Sequence, residues 1–257
     1  IKNIDLLDAS SDLRTVINIL GQVAINLSNI ISLGDLYGTG DVKLNLNADG
    51  DAQRSLDVIA DREYFKALQS SPVVAYVSEE REDLTIINEA GSLLLAIDPL
   101  DGSSNIETNL SIGSIFSIRE CTVAASQTKI VDQFLQSGDN QIAAGYIIFG
   151  PQTIFVVTTG KGVLQYVLDR ESKQFLLTKK EIKIPVDTQE YAVNASNARH
   201  WSKPMRLYIE DSNAGEIGPR DVNFNMRWVA SLVAETHRIL SRGGIFIYPA
   251  DSRKAYE

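Results

Sequence analysis

Cysteine, histidine and basic residues are scarce in this sequence. Its 257 residues include a single cysteine, Cys121, and two histidines. One cysteine excludes an intramolecular disulfide and is typical of proteins in a reducing compartment. The 24 lysines and arginines are outnumbered by 33 acidic residues, which gives a formal net charge of −9. This balance disfavours nonspecific binding to nucleic acid or to an anionic membrane surface.

Long apolar runs and a targeting pattern are also missing. The first residues show no basic segment followed by an apolar one, and no uninterrupted apolar run approaches the roughly 18 residues of a membrane span. Hydrophobic residues make up 44% of the chain, which is enough for a large buried core. We therefore expect a cytoplasmic globular protein of one or two domains that binds neither nucleic acid nor membrane.

Two closely spaced aspartates follow a strand-like segment. The apolar run over residues 93–97 indicates a buried strand, and Asp98 and Asp101 come directly after it. Pro99 stiffens the chain between them, and Gly102 permits a sharp turn. Hard divalent cations need several oxygen ligands, which such carboxylates can supply. An acidic surface turn explains the same residues as simply.

Two further acidic groups favour a metal site over a surface turn. Glu79 and Glu80 follow another strand-like run over residues 73–77, and Asp51 and Asp57 lie upstream. Asp51 also has an ordinary explanation, because a negative charge suits the first turn of a helix. Three acidic clusters at the ends of predicted elements are nevertheless harder to explain as solvated surface.

The rest of the pattern predicts helices mixed with strands. Helical periodicity predicts helices over residues 12–31, 51–68 and 227–241. A seam rich in charge, with Pro185, separates two halves at residues 181–187. Such a mixture favours stacked α and β layers, an α+β architecture. Strands are predicted at residues 73–77, 93–97, 112–118, 143–149, 154–159, 163–168 and 245–248.

The segment from Asp98 to Asn105 carries a family resemblance. It reads Asp-Pro-Leu-Asp-Gly-Ser-Ser-Asn and resembles the signature of metal-dependent, lithium-sensitive sugar phosphatases. The continuation from Leu110 to Phe116 is similar to class I fructose-1,6-bisphosphatases, and the similarity runs through nearly the whole chain. It implies a layered α-β sandwich, the sugar phosphatase fold of two α/β halves. Residues 1–184 would form a metal-binding phosphatase domain, and residues 185–257 a domain that binds the sugar and its other phosphate.

The resemblance also implies the cofactor. It indicates two or three Mg²⁺ ions per subunit, with Mn²⁺ as a possible substitute. Asp51 would be an outer ligand of a third ion. The remaining metal ligands would be Glu79, Asp98, Asp101 and the backbone carbonyl of Leu100.

Catalytic and phosphate-binding roles follow from the same resemblance. Glu80 and Asp57 would orient and deprotonate the attacking water, since neighbouring carboxylates raise one another's pKa. Gly102 and Ser103 would hold the phosphoryl group that is removed, with their backbone N–H groups facing the anion.

The second half would bind the rest of the substrate. Asn194 and Tyr248 match phosphate-binding residues of the family, and Arg227 matches an arginine that reaches into a neighbouring subunit's site, which implies at least a dimer. The family assembles as tetramers, so the resemblance implies a homotetramer. Each also has an ordinary explanation, since an arginine at a helix start is usually surface and a tyrosine in a strand is usually core. Asn197 and Trp228 stand where the vertebrate enzymes have tyrosines.

The predicted activity is hydrolysis of the 1-phosphate of fructose 1,6-bisphosphate by a metal-activated water, a step in gluconeogenesis and carbohydrate metabolism. Sedoheptulose-1,7-bisphosphatase is an alternative, because both sugars present the same end to the metals. The family continues beyond residue 257 with another metal-binding glutamate and a substrate-binding lysine, so a catalytically inactive binding module is a further alternative.

Many members are inhibited by AMP near the first helix. Because their Lys-Tyr pair is replaced here by Ser92-Leu93, we expect weak sensitivity or none.

Overall fold

The computed structural model describes residues 4, 6, 9–36, 52–122, 127–250 and 252. The chain divides into two compact units, Ile1–Ile182 and Lys183–Glu257, which we call unit 1 and unit 2. The division of functions between residues 1–184 and 185–257 stays a prediction.

Unit 1 is built on an eight-stranded sheet. In chain order its strands are β1 (Val73–Ser78), β2 (Thr85–Ile86), β3 (Leu93–Asp101), β4 (Ile112–Glu120), β5 (Ala143–Phe149), β6 (Thr153–Thr158), β7 (Val163–Asp169) and β8 (Gln174–Lys179). Their order across the sheet is β2-β1-β3-β4-β5-β6-β7-β8. β1 and β3 are parallel, whereas the other neighbouring pairs are antiparallel. Because β1 and β3 are parallel, their carboxyl ends lie at the same edge of the sheet.

Within the described residues of unit 1, three α-helices cover this sheet: α1 (Ser11–Leu33), α2 (Ala52–Leu68) and α3 (Gln127–Phe134). The predicted helices over 12–31 and 51–68 correspond to α1 and α2, while α3 was not predicted. α1 begins where the Ser10 side chain accepts the Leu13 N–H at 3.2 Å, and Gly34 follows its last turn at a φ of 49°. Both ends therefore carry the residues that commonly cap a helix.

Side chains alternate between the two faces of the sheet. Leu93, Leu95 and Ile97 of β3 belong to the large core that also contains the buried faces of α1 and α2. Leu94 points to the other face, where it packs in a small cluster with Ile130 of α3. Unit 1 is thus a helix–sheet–helix sandwich, which confirms the predicted layered α-β architecture.

α1 is long and apolar enough to cross a membrane by length and composition alone, although half of its most apolar stretch is buried in the protein. The sequence did not suggest this because polar residues such as Asn18 and Gln22 interrupt the run. Val16, Leu20 and Leu27 are fully buried in the core of unit 1. We therefore interpret α1 as a core helix.

Unit 2 contains a small parallel sheet. Its elements are β9 (Glu190–Val193), α4 (Lys203–Asn213), β10 (Asn225–Met226), α5 (Leu232–Arg242) and β11 (Ile245–Ile247). The order across the sheet is β10-β9-β11, with both pairs parallel.

The prediction of one helix over 227–241 is wrong at its start. Arg227 follows strand β10, and its N–H donates to the Tyr191 carbonyl of β9 at 2.8 Å. The helix begins only after Ser231, whose hydroxyl accepts the Ala234 N–H at 3.3 Å. Pairing with β9 therefore holds residues near 227 in extended conformation despite their helical periodicity.

Candidate active site

The carboxyl ends of β1 and β3 form an acidic edge in unit 1. Ser78 at the end of β1 pairs with Ile97 of β3, and the Glu79 N–H donates to the Ile97 carbonyl at 3.2 Å. Because parallel strands end on the same side, the two acidic groups predicted from separate parts of the sequence meet here. We use the term acidic edge for four residues: Glu79, Glu80, Asp98 and Asp101.

A bulge in β3 separates its two aspartates. Asp98 and Asp101 are three residues apart, whereas their partners on β4 are two apart. Pro99 has no N–H to give to the ladder, and the Leu100 N–H donates to the Asp98 carboxylate at 3.0 Å. The strand therefore runs through Asp101 rather than ending at residue 97 as predicted, because the bulge accommodates the proline.

Gly102 makes the sharp turn that the sequence predicts. It is left-handed, with a φ of 77°, and its carbonyl accepts the Asn105 N–H at 2.8 Å. A short 3-10 turn over Ser103–Asn105 follows. A side chain at position 102 would be strained at this φ, so the glycine is needed for the change of direction after β3.

Asp98 is the most strongly perturbed carboxyl at the acidic edge. Partial burial, the charge of Glu79, a hydrogen bond with Glu79 and the charge of Asp101 together raise its pKa to about 8. A raised pKa means that the ionised form is unstable without a compensating cation. Asp98 is therefore the group whose charge most needs a partner.

Asp57 approaches the same region from α2. Its side chain forms a hydrogen bond with Ser103, and burial followed by the charges of Glu80 and Glu79 raises its pKa to about 6. Its Oδ1 is buried without a hydrogen-bond partner among the described residues. Glu80 is more exposed, and its pKa is raised by partial desolvation, Glu79 and Asp61. The predicted pair of Glu80 and Asp57 is thus electrostatically coupled.

The donor set fits a hard divalent cation in its chemistry. Asp98 interacts with both Glu79 and Asp101, and Leu100, whose side chain is 4% exposed, has only its backbone to offer as a ligand. Within the described ranges, however, no three His, Cys, Asp or Glu side chains are gathered closely enough to hold an ion. Asp51 lies outside the described residues. The metal ligand set therefore stays a prediction.

Unit 2 brings its three predicted residues to one edge. Asn194 follows β9, Arg227 follows β10 and Tyr248 follows β11. Because these strands are parallel, all three residues lie at the carboxyl edge of the sheet. Asn194 also caps the next turn by accepting the Ser196 N–H at 3.2 Å.

Tyr248 is at the surface and not in the core. It is 67% exposed and stacks with Phe246, their ring centroids 6.3 Å apart, while Trp228 also stacks with Phe246 at 5.8 Å. The ordinary explanation of Tyr248 as a core residue is therefore wrong. Trp228 and Tyr248 therefore belong to one set of stacked rings around Phe246.

Arg227 contacts a buried glutamate. Its Nε lies 3.5 Å from Glu190 Oε1, and half of its side chain is exposed. Arg238 binds the other oxygen of Glu190 at 2.9 Å, and Arg242 also pairs with this carboxylate. Arg227 is thus the most distant of three cations around one carboxylate, so it is the one most easily released to another anion.

Sequence analysis missed two groups of residues that hold the acidic edge. Asp61 of α2 pairs with Arg81 at 2.8 Å. Tyr64 donates to Ser114 at 2.9 Å, and Ser114 donates to the Pro99 carbonyl at 2.8 Å. The spacing of Asp57 and Asp61 by one helical turn was the available signal.

Family models match both units. The N-terminal domain model of fructose-1,6-bisphosphatase covers residues 2–180, and the C-terminal domain model covers residues 184–256. A class 1 fructose-1,6-bisphosphatase from Cereibacter sphaeroides is 53% identical over 251 residues, 96% of this chain and 73% of the relative. One from Bradyrhizobium is 50% identical over 247 residues, 96% of this chain and 71% of the relative. The chain belongs to the class I fructose-1,6-bisphosphatase family.

Solved structures agree with this membership. Fructose-1,6-bisphosphatase from Leishmania major in holo form superposes with a TM-score of 0.84 at 31% identity, covering 95% of this chain and 76% of that one. The T-state form gives the same TM-score at 29% identity, covering 96% and 75%. The sugar phosphatase fold is therefore confirmed, and class I fructose-1,6-bisphosphatases require a divalent metal ion.

Proposed function

We propose that this chain hydrolyses the 1-phosphate of fructose 1,6-bisphosphate to fructose 6-phosphate and inorganic phosphate. It is a phosphoric monoester hydrolase of carbohydrate metabolism, and its family membership does not favour an inactive binding module. The observation that carries the mechanism is the parallel pairing of β1 and β3, which joins Glu79 and Glu80 to Asp98. Sedoheptulose 1,7-bisphosphate presents the same chemistry at its first carbon and is the substrate to compare.

In this mechanism the acidic edge holds the cofactor. Glu79, Asp98, Asp101 and the Leu100 carbonyl would bind two or three Mg²⁺ ions, which Mn²⁺ can replace, and Asp51 would be an outer ligand. When bound, the ions activate a water and neutralise the charge that develops on the phosphoryl group. The raised pKa of Asp98, which burial and repulsion from Glu79 and Asp101 produce, supports this role.

Glu80 and Asp57 would take the proton of the attacking water. Burial and neighbouring carboxylates raise the pKa of both residues, and a base whose pKa lies near neutral is more effective than an ordinary carboxylate. The raised pKa of Asp57, about 6, supports this assignment. Gly102 and Ser103 would hold the phosphoryl group, and the Ser103 contact with Asp57 would keep the base beside it.

Asn194, Tyr248 and an Arg227 from a neighbouring subunit would hold the second phosphate. Their common edge in unit 2 supports a shared role. We propose that the enzyme is a cytoplasmic homotetramer, so that each Arg227 acts in a neighbouring site. The long, exposed pairing of Arg227 with Glu190 would leave the guanidinium available to the phosphate.

The test is phosphate release by the purified protein with Mg²⁺, measured on both bisphosphates. Glu80→Gln should lower kcat about 10² to 10⁴ fold, the usual contribution of a general base. Glu82→Gln is the matched control, because it removes an exposed charge two residues away. Equal kcat in the two variants would contradict the role of Glu80, and faster turnover of the sedoheptulose ester would change the substrate.

A further inference from the structure

Glu79 and Glu80 occupy the two central positions of a tight turn. The Arg81 N–H donates to the Ser78 carbonyl at 3.2 Å, which closes the turn over residues 78–81. The Ser78 hydroxyl accepts the Glu80 N–H at 3.2 Å. The backbone of this turn is therefore defined by its own hydrogen bonds, and Arg81 is its last residue.

The side chain of Arg81 attaches this turn to α2. Its Nε and Nη2 both lie 2.8 Å from Asp61 Oδ2. The Tyr76 hydroxyl donates to Asp61 Oδ1 at 2.9 Å. The guanidinium also lies over the Phe65 ring, 4.0 Å from its centroid. Arg81 is thus fixed by two donors and a ring face, which a lysine cannot reproduce.

Asp61 lies one helical turn after Asp57 on α2. Residues four apart share a helix face, so the helix that carries one member of the Glu80–Asp57 pair also binds the turn that carries the other. Asp61 is 6% exposed and Arg81 is partly buried. Movement that broke this pair would leave the buried Asp61 charge uncompensated, which is costly. The Asp61–Arg81 pair therefore fixes the distance between Glu80 and Asp57, although it includes neither residue.

We propose that Asp61 and Arg81 are positioning residues, which hold the Glu79–Glu80 turn against α2 at the separation that catalysis needs. This inference rests on the proposed function of Glu80 and Asp57. The pair touches neither substrate nor metal in the proposal. Its effect is geometric, since a displacement of about 1 Å can cost a catalytic group about a hundredfold in rate.

The two partners carry opposite charges, which allows a sharp test. Arg81→Gln removes a positive charge near the acidic edge, and Asp61→Asn removes a negative one. A purely electrostatic role would change kcat in opposite directions. The positioning role predicts that each variant lowers kcat about tenfold or more, with KM for the bisphosphate changed by less than about threefold, since substrate binding is unaffected.

The double variant and a conservative one extend the test. Asp61→Asn with Arg81→Gln should lose no more kcat than the worse single variant, because both break one contact. Arg81→Lys should retain more of the kcat than Arg81→Gln, since an ammonium can reach Asp61 with one contact, although it cannot make both contacts of the guanidinium. In the protein without added metal, hydrogen exchange of the amides at 79–81 should accelerate in both single variants.

The matched control is Arg119→Gln, assayed well below every variant's melting temperature. Arg119 is also buried, in β4, and donates to the carbonyls of Ser137 and Gln136. This variant should lower the melting temperature while kcat stays within about twofold.

Three results would overturn the proposal: normal kcat in both single variants with only a lower melting temperature, kcat changes of opposite sign, or fully additive losses. Normal turnover in Glu80→Gln would instead contradict the proposed function, so the two failures are distinguishable.

Discussion

The two units use charge in opposite ways at their sheets. At the acidic edge of unit 1, carboxylates lie beside carboxylates, and the pKa of Asp98 rises to about 8. In unit 2, Glu190 is buried but surrounded by Arg227, Arg238 and Arg242. One region holds unbalanced negative charge, and the other pairs a carboxylate with more than enough positive charge.

This difference distinguishes charged groups that stabilise the fold from charged groups that indicate a ligand. A buried, fully paired carboxylate such as Glu190 is explained by the fold alone. Crowded like charges destabilise the fold, so they persist where a ligand compensates them. The acidic edge is therefore expected to meet cations, and the exposed Arg227 at the edge of unit 2 to meet an anion.

Asp98→Asn should have the largest effect. It removes the central charge of the acidic edge and weakens a ligand that the proposed ions share, so we expect at least about a hundredfold loss of kcat. The fold should survive, because the change relieves repulsion with Glu79. Turnover at saturating Mg²⁺ and circular dichroism are the measurements. Near-normal turnover would contradict the metal assignment.

Arg227→Ala should have the next largest effect. Loss of a charge-assisted hydrogen bond costs about 1.5–3 kcal/mol, which corresponds to a rise in KM of about one to two decades. Arg242→Ala is the control, because Arg242 pairs with the same Glu190 but has no proposed phosphate contact. If fructose 1-phosphate is hydrolysed as efficiently as the bisphosphate, no second phosphate site exists.

Sequence patterns predict most strands of the sheet in unit 1 but miss elements that are mostly polar or exposed. The runs that become β1 and β5 are apolar and buried, so their positions follow from composition. β8 was not predicted, because four of its six residues are exposed and its place depends on pairing with β7. α4 was also missed, since its helix is mostly polar and follows a loop-like sequence.

The same limit applies to the site. The motif around Asp98 identifies the acidic edge, because its residues are adjacent in the sequence. The contact of Asp61 with Arg81 joins residues 20 apart and depends on how α2 packs on the sheet. No local pattern contains that information. Sequence analysis therefore finds the groups proposed to react and misses those that hold them in place.

The stability of the metal-free protein should depend on pH. The pKa of Asp98 rises from its ordinary value to about 8 on folding, and that of Asp57 to about 6. Between about pH 4 and pH 8 the folded state binds more protons than the unfolded state, so stability falls as pH rises. We expect a lower melting temperature at pH 8.5 than at pH 5.5 in the presence of a chelator.

Asp98→Asn and Mg²⁺ are the controls for this pH dependence. The variant should show a smaller fall in melting temperature between the two pH values, because it lacks the most strongly shifted group. Mg²⁺ should raise the melting temperature of the unsubstituted protein more at pH 8.5 than at pH 5.5, since cations favour ionised carboxylates. Equal slopes in the two proteins would show that Asp98 does not cause the dependence.

The smallest effect is expected from AMP. If phosphates bind where positive charge is exposed, the start of α1 is a poor site, because Asp12 lies in its first turn and accepts a hydrogen bond from Ser92. Loss of the family's cationic contact there costs about 1.5–3 kcal/mol, or one to two decades in affinity. We expect no inhibition at micromolar AMP when substrate is low, and greater sensitivity in Asp12→Ala. Arg14 is the one cation in this part of α1 that could replace the contact. Micromolar inhibition that disappears in Arg14→Ala would therefore contradict the prediction and show that the helix itself supplies the missing charge.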